Sequence, residues 1–254
     1  MRTIDQLIED VTREARREPF PVDVEVYRRS GRDPDVPVLF AGALDARVCV
    51  FGRDLGKDEV AAGQPLIGAG GRLVRSGLYL AEHGAPPPVG DRKLESVLAR
   101  VLLTNTVPYK PPGNKAYSSA VKERFRPFVA ELLARHWQGD QLITLGTEAF
   151  QWFAPYAPDL EAFWKRENRY ESALPCTIAA GSMCRDVTLL PLPHPSPLNA
   201  RWYKKFPDLL ALRLGGLPRL QGSKRLKSVE KSAVRNRDRP GVKIGGEGER
   251  NREA

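Results

Sequence analysis

Residues 46–52 read ARVCVFG, an almost unbroken apolar run that ends in glycine and leads into the charged loop RDLG at 53–56. A short apolar run bounded by turn residues is typical of a strand that is buried on both faces of a sheet. Similar runs occur at 101–107 (VLLTNTV), 142–145 (LITL) and 187–192 (VTLLPL). We therefore expect parallel strands, and in such sheets ligands bind beyond the carboxyl ends of the strands.

Helical patterns alternate with these strands along the chain. Apolar residues recur at helical spacing over 4–11, 73–80, 118–137 and 200–214, and a further strand is indicated at 36–42. Pro127 is compatible with the third helix only at a kink or near its start. Alternating strands and helices predict an α/β fold, a three-layer α/β/α sandwich around a mostly parallel central sheet.

The charge of the chain favours a polyanionic partner. Its 254 residues include 40 Lys and Arg against 31 Asp and Glu, which gives a net charge of +9. Residues 221–254 alone contain ten Lys or Arg, five Asp or Glu and few apolar residues. We predict a folded domain over 1–220 and a basic, disordered tail over 221–254. Non-specific attraction to DNA and a purely solvated role are both open for that tail.

Several classes of protein are excluded by what the sequence lacks. Its three cysteines, Cys49, Cys176 and Cys184, form neither a CxxC pair nor a disulfide framework. The N-terminus alternates charged and apolar residues, unlike a signal peptide, and no stretch resembles a membrane span. P-loop, GxSxG and HExxH motifs are absent. We therefore expect a cytoplasmic, nucleoid-associated protein without a membrane segment.

The most distinctive segment is LPLPHPSPLNARWYKKFP at 190–207, where an apolar strand leads into a loop rich in proline. Prolines fix the backbone of such a loop, which can then press on a phosphodiester backbone and present Leu198 as a wedge. His194, at the end of the strand, can donate a hydrogen bond to a developing anion. A histidine in a turn can equally be structural, so the neighbouring motifs decide between these interpretations.

Within this segment, HPSPL at 194–198 resembles the leucine loop of the uracil-DNA glycosylase superfamily. Two further motifs follow the family's order. FGRDLGKDEVAAGQPLIGAGGRL at 51–73 is similar to the water-activating segment, particularly that of bacterial family 4. LLTNTVPYKPPGN at 102–114 is similar to the strand and loop that carry the base-reading asparagine, and LITLGTEAF at 142–150 resembles a later strand and helix. The resemblance spans about residues 36–214 and implies the fold of that superfamily.

The resemblance assigns the catalytic roles. Asn105 would match the Watson–Crick edge of a flipped base. Asp54 would orient a water molecule, and His194 would hydrogen-bond the leaving base anion. Asp54 stands third in GRDLG, as in the family 1 pattern GQDPYH, whereas family 4 places its acid second, where this chain has Arg53. Glu59 and the adjacent Asp58 are therefore candidate auxiliary acids.

The pocket and the DNA contacts follow from the same resemblance. Leu66 falls where family 4 stacks an aromatic ring on uracil, and Phe51 is a second candidate for contact with the base. The predicted DNA-binding residues are those of the rigid loop, a basic residue after it and a glycine expected at a DNA phosphate: Pro195, Ser196, Pro197, Leu198, Arg201 and Gly70.

The implied function is hydrolytic removal of uracil, or a related deaminated base, from DNA. The enzyme would leave an abasic site, act as a monomer and need no metal or other cofactor. Family 4 holds an iron–sulfur cluster with four cysteines, one of which aligns with Tyr109 here, so we do not expect the cluster. Arg53 and Leu66 motivate a second hypothesis, a catalytically silent module that binds DNA or senses damage.

Overall fold

The computed structural model describes residues 2–91, 93–113 and 115–215, and the predicted tail at 221–254 lies outside them. Its centre is a sheet of six strands: β1 (Phe40–Gly42), β2 (Val48–Gly52), β3 (Val101–Asn105), β4 (Gln141–Leu145), β5 (Leu174–Ala180) and β6 (Met183–Leu192). Their order is β1-β3-β2-β4-β6-β5. The four inner strands run parallel, and the two edge strands pair antiparallel. The predicted, mostly parallel sheet is confirmed.

Helices precede the first strand, follow the last one and fill the connections from β2 to β3, β3 to β4 and β4 to β5. They are α1 (Ile4–Arg17), α2 (Val24–Arg29), α3 (Lys57–Ala62), α4 (Ala69–His83), α5 (Ser119–Glu131), α6 (Thr147–Gln151), α7 (Leu160–Trp164), α8 (Ala200–Tyr203) and α9 (Phe206–Gly215). Every residue of β2, β3 and β4 is buried. Both faces of the sheet are therefore covered, as the prediction of a three-layer α/β fold requires.

Prolines explain where the observed elements differ from the predicted ones. The strand expected over 36–42 begins only at Phe40, because the chain around Pro37 bonds elsewhere: Val38 N donates to Pro108 O at 2.9 Å. The final helix is two helices, α8 and α9, and Pro207 lies in the first turn of the second, where its missing N–H costs little.

The long helix expected over 118–137 also divides. It ends as α5 at Glu131 and continues as a π-helical turn over Leu132–His136, in which Trp137 N donates to Leu132 O at 2.9 Å. Pro127 is accommodated inside α5. Its ring removes one backbone hydrogen bond from the helix.

The helix predicted over 73–80 begins earlier, at Ala69, so the glycine-rich segment before it is the first turn of α4. Gly71 permits this, because a methyl group there would lie 2.0 Å from the carbonyl carbon of Leu66. Only a glycine lets the first turn of α4 pack directly on the preceding chain. The short helix α3, which the sequence did not indicate, lies just before it.

The register of the sheet places four strand ends side by side. Gly52, the last residue of β2, pairs with Asn105, the last residue of β3. Likewise Leu145 at the end of β4 pairs with Leu192 at the end of β6. The loops that follow these strands therefore meet at one edge of the sheet.

Candidate active site

A cleft of about 760 Å³ opens at this carboxyl edge of the sheet. Asp54, Asn105 and His194, which follow or end three different parallel strands, all line it. The structure thus brings together the two side chains to which the resemblance assigned catalytic roles, Asp54 and His194, and the predicted base-reading Asn105. Their separation along the chain is bridged by the parallel register of the strands.

Asp54 is a buried carboxyl group beside a cation. Its side chain is 3% exposed, and Oδ2 lies 2.9 Å from Nε of Arg53. Burial raises the pKa of Asp54 above its usual value, because the carboxylate loses water. The charges of Arg53 and Lys122 act against this rise, while Glu148 adds to it. The carboxyl group is therefore held closer to neutrality than an exposed aspartate.

Thr106 joins the ends of β2 and β3 below this group. Its backbone N–H donates to the carbonyl oxygens of Gly52 and Arg53, at 3.1 and 3.0 Å, and its hydroxyl also donates to Arg53 O. The backbone next to Asp54 is therefore fixed to the strand that carries Asn105. Nothing in the sequence distinguishes Thr106, since a threonine at the end of a strand is ordinary.

Asn105 presents a buried carboxamide to the cleft. The residue is 2% exposed, and its Oδ1 accepts no hydrogen bond from any described residue. A methyl group at Gly52 would approach Nδ2 to 2.7 Å, so the glycine makes room for the amide. A buried polar atom without a partner is costly, and it indicates a place where a ligand supplies the missing bond.

His194 lies just beyond the end of β6 and lines the cleft. It packs over Gly146, where a methyl group would lie 2.9 Å from the Cβ of His194. Its side chain is open to the cleft, yet the surrounding protein removes enough water to lower its pKa, and the charge of Arg53 lowers it further. The imidazole is therefore neutral at neutral pH and retains one N–H donor.

The loop after His194 is rigid in its backbone and exposed at its tip. His194 O accepts from Ser196 N at 2.9 Å and from Asn199 Nδ2 at 3.2 Å, and Leu198 N donates to Ser196 Oγ at 3.2 Å. Leu198 is nevertheless 97% exposed. An apolar side chain held out in this way, beside a cleft, is available for contact with another molecule.

Gly70 and Arg201 differ in their surroundings: Gly70 lines the cleft and Arg201 does not. The Cα of Gly70 faces the leucine loop, and a methyl group there would lie 2.6 Å from Pro195 O. The glycine lets α4 approach that loop, and a contact with a DNA phosphate stays a prediction. Arg201 is exposed on α8, with its guanidinium 5.0 Å from the centre of the Trp202 ring, outside the lining of the cleft.

Glu59 is not available as an auxiliary acid. Its Oε2 accepts from Gly56 N at 3.0 Å, and its Oε1 accepts from Ile67 N at 3.1 Å and Gly68 N at 2.7 Å. These three hydrogen bonds hold the carboxylate in place and fasten α3 to the start of α4. That prediction is corrected to a structural role. Asp58 is exposed on the wall of the cleft and stays a candidate.

Phe51 is also corrected, because it does not reach the base pocket. Its ring is fully buried in the core, 5.1 Å from the ring of Trp152 and 4.9 Å from that of Phe153. Neighbouring residues of a strand point to opposite faces, so Phe51 turns to the core while Gly52 lies at the cleft. Leu66, the other candidate for base contact, does line the cleft.

Tyr109, which stands where the resemblance places one cysteine ligand of the cluster, packs among aromatic rings. Tyr109 is buried, donates from its hydroxyl to Asp35 O at 2.8 Å, and packs against the rings of Phe20 and Phe125. In the described part of the chain, no three Cys, His, Asp or Glu side chains are grouped to hold a metal ion. The residues present do not fit a four-cysteine iron–sulfur cluster.

Lys110, which the sequence analysis did not select, stabilises the loop after β3. Its buried ammonium group donates to Asp23 Oδ2 at 2.8 Å, Pro111 O at 2.9 Å and Gly113 O at 2.7 Å. The bond with Lys110 lowers the pKa of Asp23. The hydrogen bonds of Lys110 therefore close the turn next to the cleft. In the sequence, only its position before two prolines indicated such a role.

Comparison with known families agrees with this geometry. The model of the uracil DNA glycosylase superfamily matches residues 40–215, which is more than half of the chain. This chain belongs to the uracil DNA glycosylase superfamily. Membership implies DNA as the substrate, and members of the superfamily are in general hydrolytic N-glycosylases. No curated protein matches the sequence. None of the helices in the described ranges is long and apolar enough to cross a membrane.

Proposed function

We propose that this protein excises uracil, or a related deaminated base, from DNA by hydrolysis and leaves an abasic site. The observation that carries the proposal is one cleft in which a buried acid, a buried amide with an unsatisfied oxygen and a neutral imidazole converge: Asp54, Asn105 and His194. The family supplies the reaction class, and these side chains supply the chemistry.

Asn105 supports selection of the base. Uracil presents a donor at N3 and an acceptor at O4, and one carboxamide offers the complementary acceptor and donor. Cytosine presents the opposite pattern at these positions. Because Oδ1 of Asn105 is buried and accepts no hydrogen bond from the described residues, a base that donates to it supplies that bond.

Leu198 supports extrusion of the nucleotide. Flipping a base costs a few kcal/mol in lost stacking and pairing. Burial of a leucine that is exposed in the unbound protein contributes roughly 1.5–3 kcal/mol. Insertion of Leu198 into the gap would therefore offset much of the cost of flipping, and the bonded backbone of its loop avoids an ordering cost.

Asp54 and His194 would act on the glycosidic bond. As the bond breaks, negative charge develops on the base and positive charge on the sugar. The neutral His194 donates a hydrogen bond to O2 of the departing base, and ionised Asp54 stabilises the sugar cation and orients the water that attacks it. The reaction consumes one water molecule and yields the free base and an abasic sugar.

Exposed basic residues after the leucine loop favour approach to DNA. Arg201, Lys204 and Lys205 are all exposed, and none of them forms an ion pair within the part of the chain that the structure describes. They are available for phosphate contacts. We expect binding to weaken as salt concentration rises, because bound phosphates release counterions.

A specific observation favours a second function, that of a silent damage-binding module. Arg53 occupies the position of the family 4 acid and pairs with Asp54 at 2.9 Å, which reduces the freedom of the carboxylate to hold water. In that case the cleft would bind uracil-containing or abasic DNA without turnover.

One assay separates the two functions. The full chain is incubated with labelled oligonucleotides that carry a single uracil, hypoxanthine or xanthine, and alkali then cleaves any abasic site. Strand scission with uracil supports the enzyme. Retention of the oligonucleotide in a binding assay, without scission for any of the three bases, supports the silent module.

A further inference from the structure

A buried arginine on α4 organises one wall of the base pocket. Arg75 is fully buried and forms no ion pair within the described ranges. Its guanidinium donates to neutral oxygens instead: Leu66 O at 2.9 Å, Lys93 O at 2.8 Å and Gln64 Oε1 at 3.1 Å. A buried cation without a carboxylate partner is costly, so these bonds indicate a specific role.

The residue that Arg75 holds has a strained backbone. Leu66 has a φ of +53°, a left-handed conformation that residues with a side chain rarely adopt. The guanidinium of Arg75 donates a hydrogen bond to the carbonyl oxygen of Leu66. Gly71, one turn earlier in α4, packs on the same peptide group so closely that a methyl group there would lie 2.0 Å from the Leu66 carbonyl carbon. The surrounding structure therefore imposes this conformation.

The strained conformation directs the Leu66 side chain toward the base-reading amide. A methyl group at Gly52 would lie 3.2 Å from Leu66 Cδ2 and 2.7 Å from Asn105 Nδ2, so both side chains flank the same point in the cleft. Arg75 also bonds the carbonyl of Lys93, which lies on the segment that leads into β3 and Asn105. One guanidinium thus bonds both the Leu66 backbone and the segment that precedes β3.

We propose that Arg75 is a positioning residue that fixes Leu66 against Asn105 and thereby sets the width of the base pocket. The proposal rests on the proposed glycosylase function and deepens it. A firmly held leucine admits uracil and disfavours bases with additional atoms, such as thymine with its methyl group. We call the hydrogen bond from Arg75 to Leu66 O the clamp. If the clamp is weakened, Leu66 moves away from Asn105, uracil is bound less tightly and bulkier bases gain access.

The test compares two arginines of the same helix. Arg75→Lys keeps the charge, but a single ammonium group cannot reproduce the planar fork that bonds several carbonyl oxygens. Arg72→Lys is the matched control, because Arg72 is exposed on α4. Excision of uracil, thymine and hypoxanthine is measured as kcat and KM for each oligonucleotide. Backbone amide exchange is measured over residues 64–68.

For Arg75→Lys we expect the preference for uracil over the bulkier bases to fall about tenfold, the usual effect of one methylene group in a pocket. The loss for uracil should appear mainly in KM, and exchange over 64–68 should rise. Arg72→Lys should change none of these values. A merely structural arginine would lower activity on all bases alike and leave the preference unchanged, which would overturn the proposal.

A second variant covers the case in which Arg75→Lys fails to fold. Leu66→Gly tolerates the positive φ and keeps the Arg75 clamp, but it removes the wall. It should fold and show the same loss of preference, and an unchanged preference would overturn the proposal. If the wild type excises no base, the proposed glycosylase function fails. The amide-exchange measurement then still tests whether Arg75 holds Leu66, because unchanged exchange over 64–68 in Arg75→Lys would contradict that role.

Discussion

Two regions meet at the cleft, and each contributes one reacting group and one leucine. The leucine loop supplies His194 and Leu198, and the segment after β2 supplies Asp54 and Leu66. Leu198 is held outward by bonds within its own loop, whereas Leu66 is held inward by Arg75, a residue of the next helix. A leucine therefore serves as a wedge where its backbone is bonded within its own loop, and as a pocket wall where its backbone is bonded by a neighbouring helix.

The largest expected effect concerns the reacting groups of the two regions. Asp54→Asn and His194→Ala should each lower the single-turnover rate of uracil excision by at least about tenfold, because a positioned proton donor or charged group is lost. His83→Ala is the matched control, since His83 lies at the far end of α4 and stacks on Tyr79. Full activity in both active-site variants would reject the assigned roles.

A smaller effect is expected at the wedge. Leu198→Ala should weaken excision from duplex DNA by about tenfold, since roughly 1.5 kcal/mol or more of apolar burial is lost, and it should affect a single-stranded substrate much less. Leu212→Ala, which removes another exposed leucine, on α9, is the control. Equal losses on duplex and single-stranded substrates would contradict insertion into the helix.

The smallest effect concerns pH and links the two regions through Arg53. Asp54 acts in its ionised form, so activity falls as the pH drops through its raised pKa. Arg53→Gln removes a charge that lowers that pKa, so the acidic limb of the pH–rate profile should move to higher pH. Arg47→Gln, which removes an arginine paired with Asp140, should leave the profile in place. A shift to lower pH would exclude Asp54 as the titrating group.

The comparison also explains what could be predicted from the sequence. The inner strands were predicted because each is a short apolar run, and the leucine loop was predicted because its prolines and its serine act locally. The motifs likewise indicated Asn105, which ends β3 beside the glycine that accommodates it. The restraints on the strands and on the leucine loop lie within a few residues of the groups that they fix, whereas the glycine beside Asn105 is Gly52 of the neighbouring strand β2.

The errors and omissions arose where the restraint is distant or depends on direction. Glu59 was predicted as an auxiliary acid, but its carboxylate accepts hydrogen bonds from three backbone amides. One amide belongs to the start of its own helix, and the other two lie eight and nine residues further along the chain. Phe51 lies next to the cleft in sequence but faces the core. Arg75 gave no signal, because its partners are backbone oxygens whose positions depend on the completed fold.

The most direct test of the account concerns the amide between the two regions. Release of free uracil from a uracil-containing duplex is measured in single turnover for the wild type and for Asn105→Ala. The account predicts release by the wild type and a rate at least about tenfold lower for the variant, which leaves the N3 donor of the base without its partner. Equal rates, or no release by the wild type, would contradict it.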